Sequence, residues 1–191
     1  MAQDIFQQMG RAVVGYCELE EKQDSPNNLT YLGHETDVSV LEKLKDYDCF
    51  VAIGDNQMRA NTSKFLVDNG IFLINAVHPS AVVSDSANLG KGVMAGPNAV
   101  INANTNIQDG VICNSGSVVE HGCSVGAFSH IGPGSVLGGN VTVGDLTLIG
   151  SGAVILLNIC IGNYVTVGAG TVVIKSIKDK MKVVGNPHKP I

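Results

Sequence analysis

The chain has no tryptophan, only 5% aromatic and 15% charged residues, and no uninterrupted apolar run of eighteen or more. The last absence argues against a bilayer-spanning helix. The opening Met-Ala-Gln-Asp-Ile-Phe-Gln-Gln also lacks the basic start and apolar middle of a secretory leader, so a cytoplasmic protein without membrane insertion is expected. Basic charge is scarce: 12 Lys+Arg against 17 Asp+Glu leave a net charge of −5, the wrong sign for gripping phosphate backbones, and no nucleic-acid partner is expected. The five cysteines (Cys17, Cys49, Cys113, Cys123, Cys160) form no Cys-x-x-Cys pair. They read as reduced, packed hydrophobes rather than zinc or redox ligands. Low charge does not mean disorder, because 45% of the 191 residues are hydrophobic and can offset ordering entropy by burial.

Glycine is plentiful, with 23 residues, and many tight corners suggest a repeat. Stepping by six from Val77 gives Val83, Leu89, Ala95, Ile101, Ile107 and so on to Val173 without a slip, every position aliphatic except Cys113. Glycine follows directly at 90, 96, 126, 132, 138, 144, 150, 162 and 168. A 3.6-residue helical turn does not return to one face every six residues, so these units are short strands joined by turns. Three such units close a triangular coil of about eighteen residues, and Val77 to Val173 makes about five coils, each touching only its neighbours.

The preceding segment differs. Strands are expected over Ala12–Cys17, Asp48–Gly54 and Ile71–Asn75, helices over Val38–Asp46 and Gln57–Gly70, and a loop over Glu20–Asn28. Alternation of this kind gives a small parallel α/β unit. Residues 1–75 therefore read as an α/β subdomain, and residues 76–191 as the solenoid with a tail. Lys175, Lys178, Lys180, Lys182 and Lys189 make that tail basic, either a solvated end or a patch for the phosphates of a large anionic cofactor. Between Lys91 and Lys175 there is no Lys or Arg, and the acids are Asp109, Glu120 and Asp145 alone. Sides so poor in charge call for a closed cyclic oligomer.

Among the five histidines, His34 and His188 lie in turn-like contexts and His78 opens the solenoid. His121 and His130 differ, because both fall on outward positions where no core demand explains them. They are nine residues apart, one and a half sides of the triangle, so within one subunit they point in different directions and approach each other only across a subunit boundary.

The run Ile112-Cys-Asn-Ser-Gly-Ser-Val-Val-Glu-His-Gly-Cys-Ser-Val-Gly-Ala-Phe-Ser-His-Ile-Gly-Pro-Gly-Ser-Val-Leu-Gly-Gly139, with Val51-Ala-Ile-Gly-Asp-Asn56 and Val184-Gly-Asn-Pro187, resembles the NeuD/PglD-type family of sugar O-acyltransferases and nucleotide-sugar N-acetyltransferases. The resemblance spans nearly the whole chain. It implies a Rossmann-like parallel sheet, here incomplete, followed by a left-handed parallel β-helix of hexapeptide repeats, assembled as a homotrimer with clefts between neighbouring prisms. It further implies acetyl-CoA as co-substrate and a nucleotide sugar as acceptor. The family's general base falls on His121 and its coenzyme-contacting histidine on His130. A backbone donor to the acetyl carbonyl falls on Gly139, and a residue supporting the base on Asn114. The spacing agrees: Gly139 follows His121 by eighteen, so the two stack on successive coils, and a glycine lets a thioester approach its N–H. An amine attacking a thioester needs a proton acceptor and a donor for the developing oxyanion. One branch of these solenoids resembles carbonic anhydrases with three zinc-binding histidines. His121 and His130 lack the close spacing and the third histidine this requires, so no metal is expected.

Three departures from the family pattern bear on function. Members usually open with a strand and a glycine-rich loop that cradles nucleotide phosphates, whereas this sequence starts at Met1-Ala-Gln-Asp, inside the helix that follows. The acidic pair ending the next strand is represented by Glu18-Leu19, and the acidic neighbour of the base is replaced by Gly122. Three readings stand: N-acetylation of a nucleotide-linked amino sugar, O-acetylation of the sialic-acid type, or a non-catalytic, truncated trimeric relative.

Overall fold

The computed structural model describes residues 1–22 and 29–191. The expected loop Glu20–Asn28 falls, from residue 23 onward, outside the described residues. The N-terminal unit begins with helix α1 (Ala2–Gln8), then strands β1 (Gly15–Cys17) and β2 (Thr30–Gly33), then helices α2 (Val38–Leu44) and α3 (Asn56–Asp68). α3 starts where it does because Asp55 caps it, its side chain accepting from the Met58 N–H at 2.8 Å. No helix among the described residues is long and apolar enough to cross a membrane.

The sheet of this unit departs from the sequence expectation. β1 is shorter than Ala12–Cys17 and pairs in parallel with β2, a strand the sequence reading did not single out. The segments 48–54 and 71–75 share a single parallel bridge, Cys49 with Leu73, and form no ladder. The carbonyls of Ile53 and Gly54, at the end of the expected strand 48–54, are taken by the guanidinium of Arg59 and not by a neighbouring strand. The apolar side chains still pack, with Val51, Ile71 and Leu73 joining Val40, Leu41, Leu44 and Leu66 in one small core.

From Ala76 onward the chain winds into a three-sided solenoid. One face stacks strands such as Ala76–Val77, Met94–Ala95, Ile112–Cys113, His130–Ile131, Leu148–Ile149 and Thr166–Val167 in an eight-stranded sheet. The second face is six-stranded and the third five-stranded. Neighbouring strands pair in parallel at a spacing of eighteen, as in His130 with Ile112 and Leu148. The last coil is two residues shorter, Thr166 pairing with Lys182. Every sixth residue from Ile101 to Val173 points inward and is buried. The intervening polar residues are mostly satisfied, Ser129 Oγ donating to the Gly144 carbonyl at 2.6 Å and Thr147 Oγ1 to that of Gly162 at 2.8 Å. Burial pushes the Cys113 thiol up to about 12, which makes it a packing residue and not a nucleophile.

The three corners of the prism differ. Each coil turns through a residue of positive φ, a conformation that is cheap for glycine and Asn and costs a bulky residue about 1–2 kcal/mol. One corner uses Asn98, Gly116, Gly134, Gly152 and Gly170, and the next uses Asn104, Gly122, Asn140 and Asn158. The third, leading into the His130 face, instead carries Phe128, Leu146, Tyr164 and Lys180 above Gly92 and Gly110. α1 lies on the lower part of that same face, its Ile5 and Phe6 packing with Ala76, Met94 and Ile112. The face thus leaves its covered lower coils and opens at His130.

Candidate active site

His121 sits at a corner between the second and third faces and is exposed. A Cβ placed on Gly139 would lie 2.8 Å from its Cε1 and Nε2, so the imidazole rests directly on the glycine one coil above. Neither ring nitrogen of His121 has a hydrogen-bond partner among the described residues, which leaves both open to an incoming group. The carboxylate of neighbouring Glu120 is turned away to the Nδ2 of Asn102 at 3.0 Å. Gly122, where an acid was looked for, is a corner residue with φ of 69°, and a Cβ there would meet Asn140 Oδ1 at 2.3 Å.

The backbone of Gly139 offers a donor for a reason built into the coil. The N–H at this position of a corner points away from the ladder, and at several coils a side chain from the coil above caps it. Asp109 caps Lys91, Asp145 caps Ala127, Asn163 caps Asp145 and Asp179 caps Asn163, at 2.8–2.9 Å. Above Gly139 stands Leu157, which has no acceptor, and no described residue accepts from the Gly139 N–H. His121 Nε2 and this free donor therefore lie side by side, which is what removal of a proton and stabilisation of an oxyanion require.

His130 lies elsewhere, half-buried where the N-terminal unit meets the solenoid. It borders a cleft of ≈ 510 Å³ lined by Gly54, Asp55, Asn56 and Gln57 on one side and Leu146, Leu148, Tyr164 and Thr166 on the other. Two of the strained corner residues, Leu146 and Tyr164, thus form its wall. Asn114 Nδ2 donates to His130 Nε2 at 3.0 Å, while its Oδ1 accepts from the Ser115 N–H at 2.8 Å and so fixes the amide's orientation. Burial, followed by the charge of Arg59, holds the His130 pKa below the usual imidazole value, with the Gly54 carbonyl opposing. His130 is neutral at pH 7. Its contribution to stability is complete above the ordinary imidazole pKa of about 6.5 and is lost as pH falls below that, because the unfolded ring binds the proton more tightly.

The residues singled out in the sequence therefore separate into two pairs, His121 with Gly139 and Asn114 with His130. His121 does not border the His130 cleft. Within one chain the Asn114 amide reaches His130. Sequence reasoning missed Arg59, Leu146 and Tyr164. For the last two a signal was present, since they break the Gly/Asn pattern at eighteen-residue spacing. Arg59, on an otherwise ordinary polar helix, gave none.

Known proteins resemble this chain in sequence and fold. Residues 1–66 match the PglD N-terminal domain, and residues 122–157 match the bacterial transferase hexapeptide (six repeats). Perosamine N-acetyltransferase from Caulobacter crescentus, solved in complex with CoA and GDP-perosamine, superposes with a TM-score of 0.93 at 34% identity, over 100% of this chain and 90% of that one. The acetyltransferase domain of PglB from Neisseria gonorrhoeae, in complex with acetyl coenzyme A, gives 0.93 at 34% identity, over 100% and 92%. WeeI from Acinetobacter baumannii gives 0.88 at 25%, over 98% and 91%. With its parallel α/β unit leading into a left-handed β-helix and its likeness extending along the whole chain, this protein belongs to the NeuD/PglD-type hexapeptide acyltransferases.

Proposed function

We propose that the chain transfers the acetyl group of acetyl-CoA to the amino group of a nucleotide-linked amino sugar, acting in the cytoplasm as a homotrimer. The observation that carries this reading is the His121 ring stacked on Gly139, whose N–H has no acceptor. In the proposed reaction the amine lone pair attacks the thioester carbonyl carbon while His121 takes a proton from the nitrogen. The carbonyl oxygen, gaining negative charge, accepts from the Gly139 N–H. The C–S bond then breaks, and the imidazolium returns its proton to the departing thiolate. His130, its ring fixed by Asn114, serves the coenzyme. Among the described residues no group of three His, Cys, Asp or Glu side chains is placed to hold a metal ion.

The trimer is supported by the second face. Its outward residues are valine at every coil, Val82, Val100, Val118, Val136, Val154 and Val172, an apolar strip without charge that a neighbouring prism would cover. Such packing would bring His121 of one subunit toward the His130 cleft of another, which agrees with their separation in one chain. N-acetylation is favoured over O-acetylation because the perosamine relative is, by name, an N-acetyltransferase.

The direct test follows release of free CoA thiol from acetyl-CoA with nucleotide-linked amino sugars, against matched sugars bearing hydroxyl in place of amine. Thiol release that depends on the amine is expected; failure to bind acetyl-CoA at millimolar concentration would remove the proposal. Substituting Gly139 with alanine is expected to leave the fold intact, since the exposed His121 ring can swing aside, yet to slow turnover about tenfold or more through misplacement of the base. Equal turnover in Gly139→Ala would show that the close stacking is immaterial. Lys178 and Lys180 are exposed at the upper end of the Phe128–Leu146–Tyr164 corner. Neutralising both is expected to weaken acetyl-CoA binding by about tenfold at low salt and by much less near 0.5 M, as screened charge contacts do. An unchanged affinity at low salt would return this segment to a solvated tail.

A further inference from the structure

Arg59 is 1% exposed, and among the described residues no carboxylate accepts from it. Its donors reach neutral oxygens alone. Nε donates to the Gly110 carbonyl at 2.8 Å, and Nη1 to the carbonyls of Ile53 and Gly54, each at 3.0 Å. Nη2 donates to Asn56 Oδ1 at 2.9 Å and the Phe128 carbonyl at 2.7 Å, with that of Ser129 at 3.5 Å. Burial lowers its pKa to about 10, with Asp55 opposing, so it remains a cation at neutral pH. A buried cation without an ion-pair partner is a costly way to join two units, and its acceptors indicate what it secures. Phe128 and Ser129 immediately precede His130 in the chain, and Gly54 lies beside the His130 ring. Phe128 is also held at a φ of 55°, a strained corner whose carbonyl this contact aims.

We infer that Arg59 is a positioning residue for His130: it clamps the backbone that carries the ring to the loop that faces it, and so holds the ring in the orientation in which the Asn114 amide sets which nitrogen carries the proton. This rests on His130 serving the coenzyme, as proposed above. The orientation follows from the hydrogen bonds. Asn114 is committed to donating to Nε2, so the proton of the neutral ring is on Nδ1. A doubly protonated ring would set an N–H against the Asn114 amide hydrogens. The charged or titratable groups around the ring are Arg59 and Asp55 from the α3 end and Tyr164 across the cleft. Arg59 is the one among them whose charge lowers the His130 pKa.

Two-bond ¹H–¹⁵N ring spectra of the full chain, recorded against pH, test this in the wild type and in Arg59→Met and Arg59→Lys. The wild type is expected to show His130 as the Nδ1–H tautomer, titrating below the ordinary imidazole range. Arg59→Met removes the charge and the clamp while keeping an apolar stem. His130 should then titrate higher and lose its single tautomer, with KM for acetyl-CoA rising about tenfold and kcat changing less. Arg59→Lys retains the charge and should restore the titration but not the tautomer. An Nε2–H tautomer in the wild type overturns the inference without any variant, and covers the case in which Arg59→Met does not fold. A folded Arg59→Met with unchanged His130 titration and tautomer also overturns it. A His130 that shifts as expected in a protein that does not bind acetyl-CoA would uphold the clamp while removing the acetyl-transfer reading.

Discussion

Replacing His121 with alanine is expected to lower acetyl transfer at pH 7 by about 10² to 10⁴, with acetyl-CoA affinity changed by no more than about twofold. The asymmetry follows from where the ring lies. It is exposed, it contributes nothing to the solenoid core, and within its own chain it does not border the cleft of His130. Its loss therefore removes a proton acceptor without disturbing the stacked strands or the coenzyme's other contacts. Against the amine, the lost step is the removal of a proton as nitrogen acquires positive charge, which Gly139 cannot supply. Part of the rate should survive, because the Gly139 donor and the binding of both substrates remain. His121→Gln, which keeps bulk and polarity but cannot act as a base, should behave like the alanine variant. Near-wild-type turnover in either would sink the base assignment, and a matching loss of acetyl-CoA affinity would recast His121 as a binding group.

Substituting Gly150 with valine is expected to destabilise the protein by about 3 kcal/mol or more, through overpacking that no side-chain movement can relieve. A Cβ on Gly150 would lie 2.5 Å from the Ala169 nitrogen, 2.7 Å from the Gly168 carbonyl carbon and 2.7 Å from the Val167 oxygen, all backbone of the next coil. The coil above would have to lift, breaking the Gly150 N–H bond to the Val167 carbonyl, 2.8 Å long. For a chain of this size the thermal midpoint should fall by about 6–12 °C. Gly152 provides the contrast. It has nothing within 4 Å, and its φ of 66° matches corners where Asn already stands. Gly152→Asn should stay within about 1 kcal/mol of the wild type. Equal melting of the Gly150 and Gly152 variants would refute the view that the glycine after each inward residue is required by coil stacking.

The glycines illustrate what was legible from sequence. The six-residue recurrence gave the strands, their inward side and the eighteen-residue pairing, because each coil contacts only the coils beside it and its local pattern is its global one. The His121 and Gly139 pair was legible for the same reason: eighteen residues is one turn. The N-terminal unit was less so. Its apolar segments around Val51 and Leu73 carry the composition of strands, but they meet at one bridge, Cys49 with Leu73, and the carbonyls of Ile53 and Gly54 go to the Arg59 side chain, a local contact that composition does not show. The strand Thr30–Gly33 was hidden by the polar tract before it. Asn114 was assigned by family likeness as a support of the base, and the sequence did not show that within one chain its amide, sixteen residues from His130, reaches that ring one coil above on the same face.

The sequence by itself determined the solenoid, its phase, its sides poor in charge and the one stacked pair that follows from the phase, since periodic order is written locally and repeated. Tertiary structure alone decided how the α/β unit seats on the first face, which corner residues become the wall of a cleft, and that one buried guanidinium joins Gly54 to the backbone before His130. Those contacts link residues far apart in the chain, 51 positions for Arg59 with Gly110 and 91 for Asn56 with Thr147, with no repeat relating them. Their formation depends on donors and carbonyls meeting in space after both units have folded.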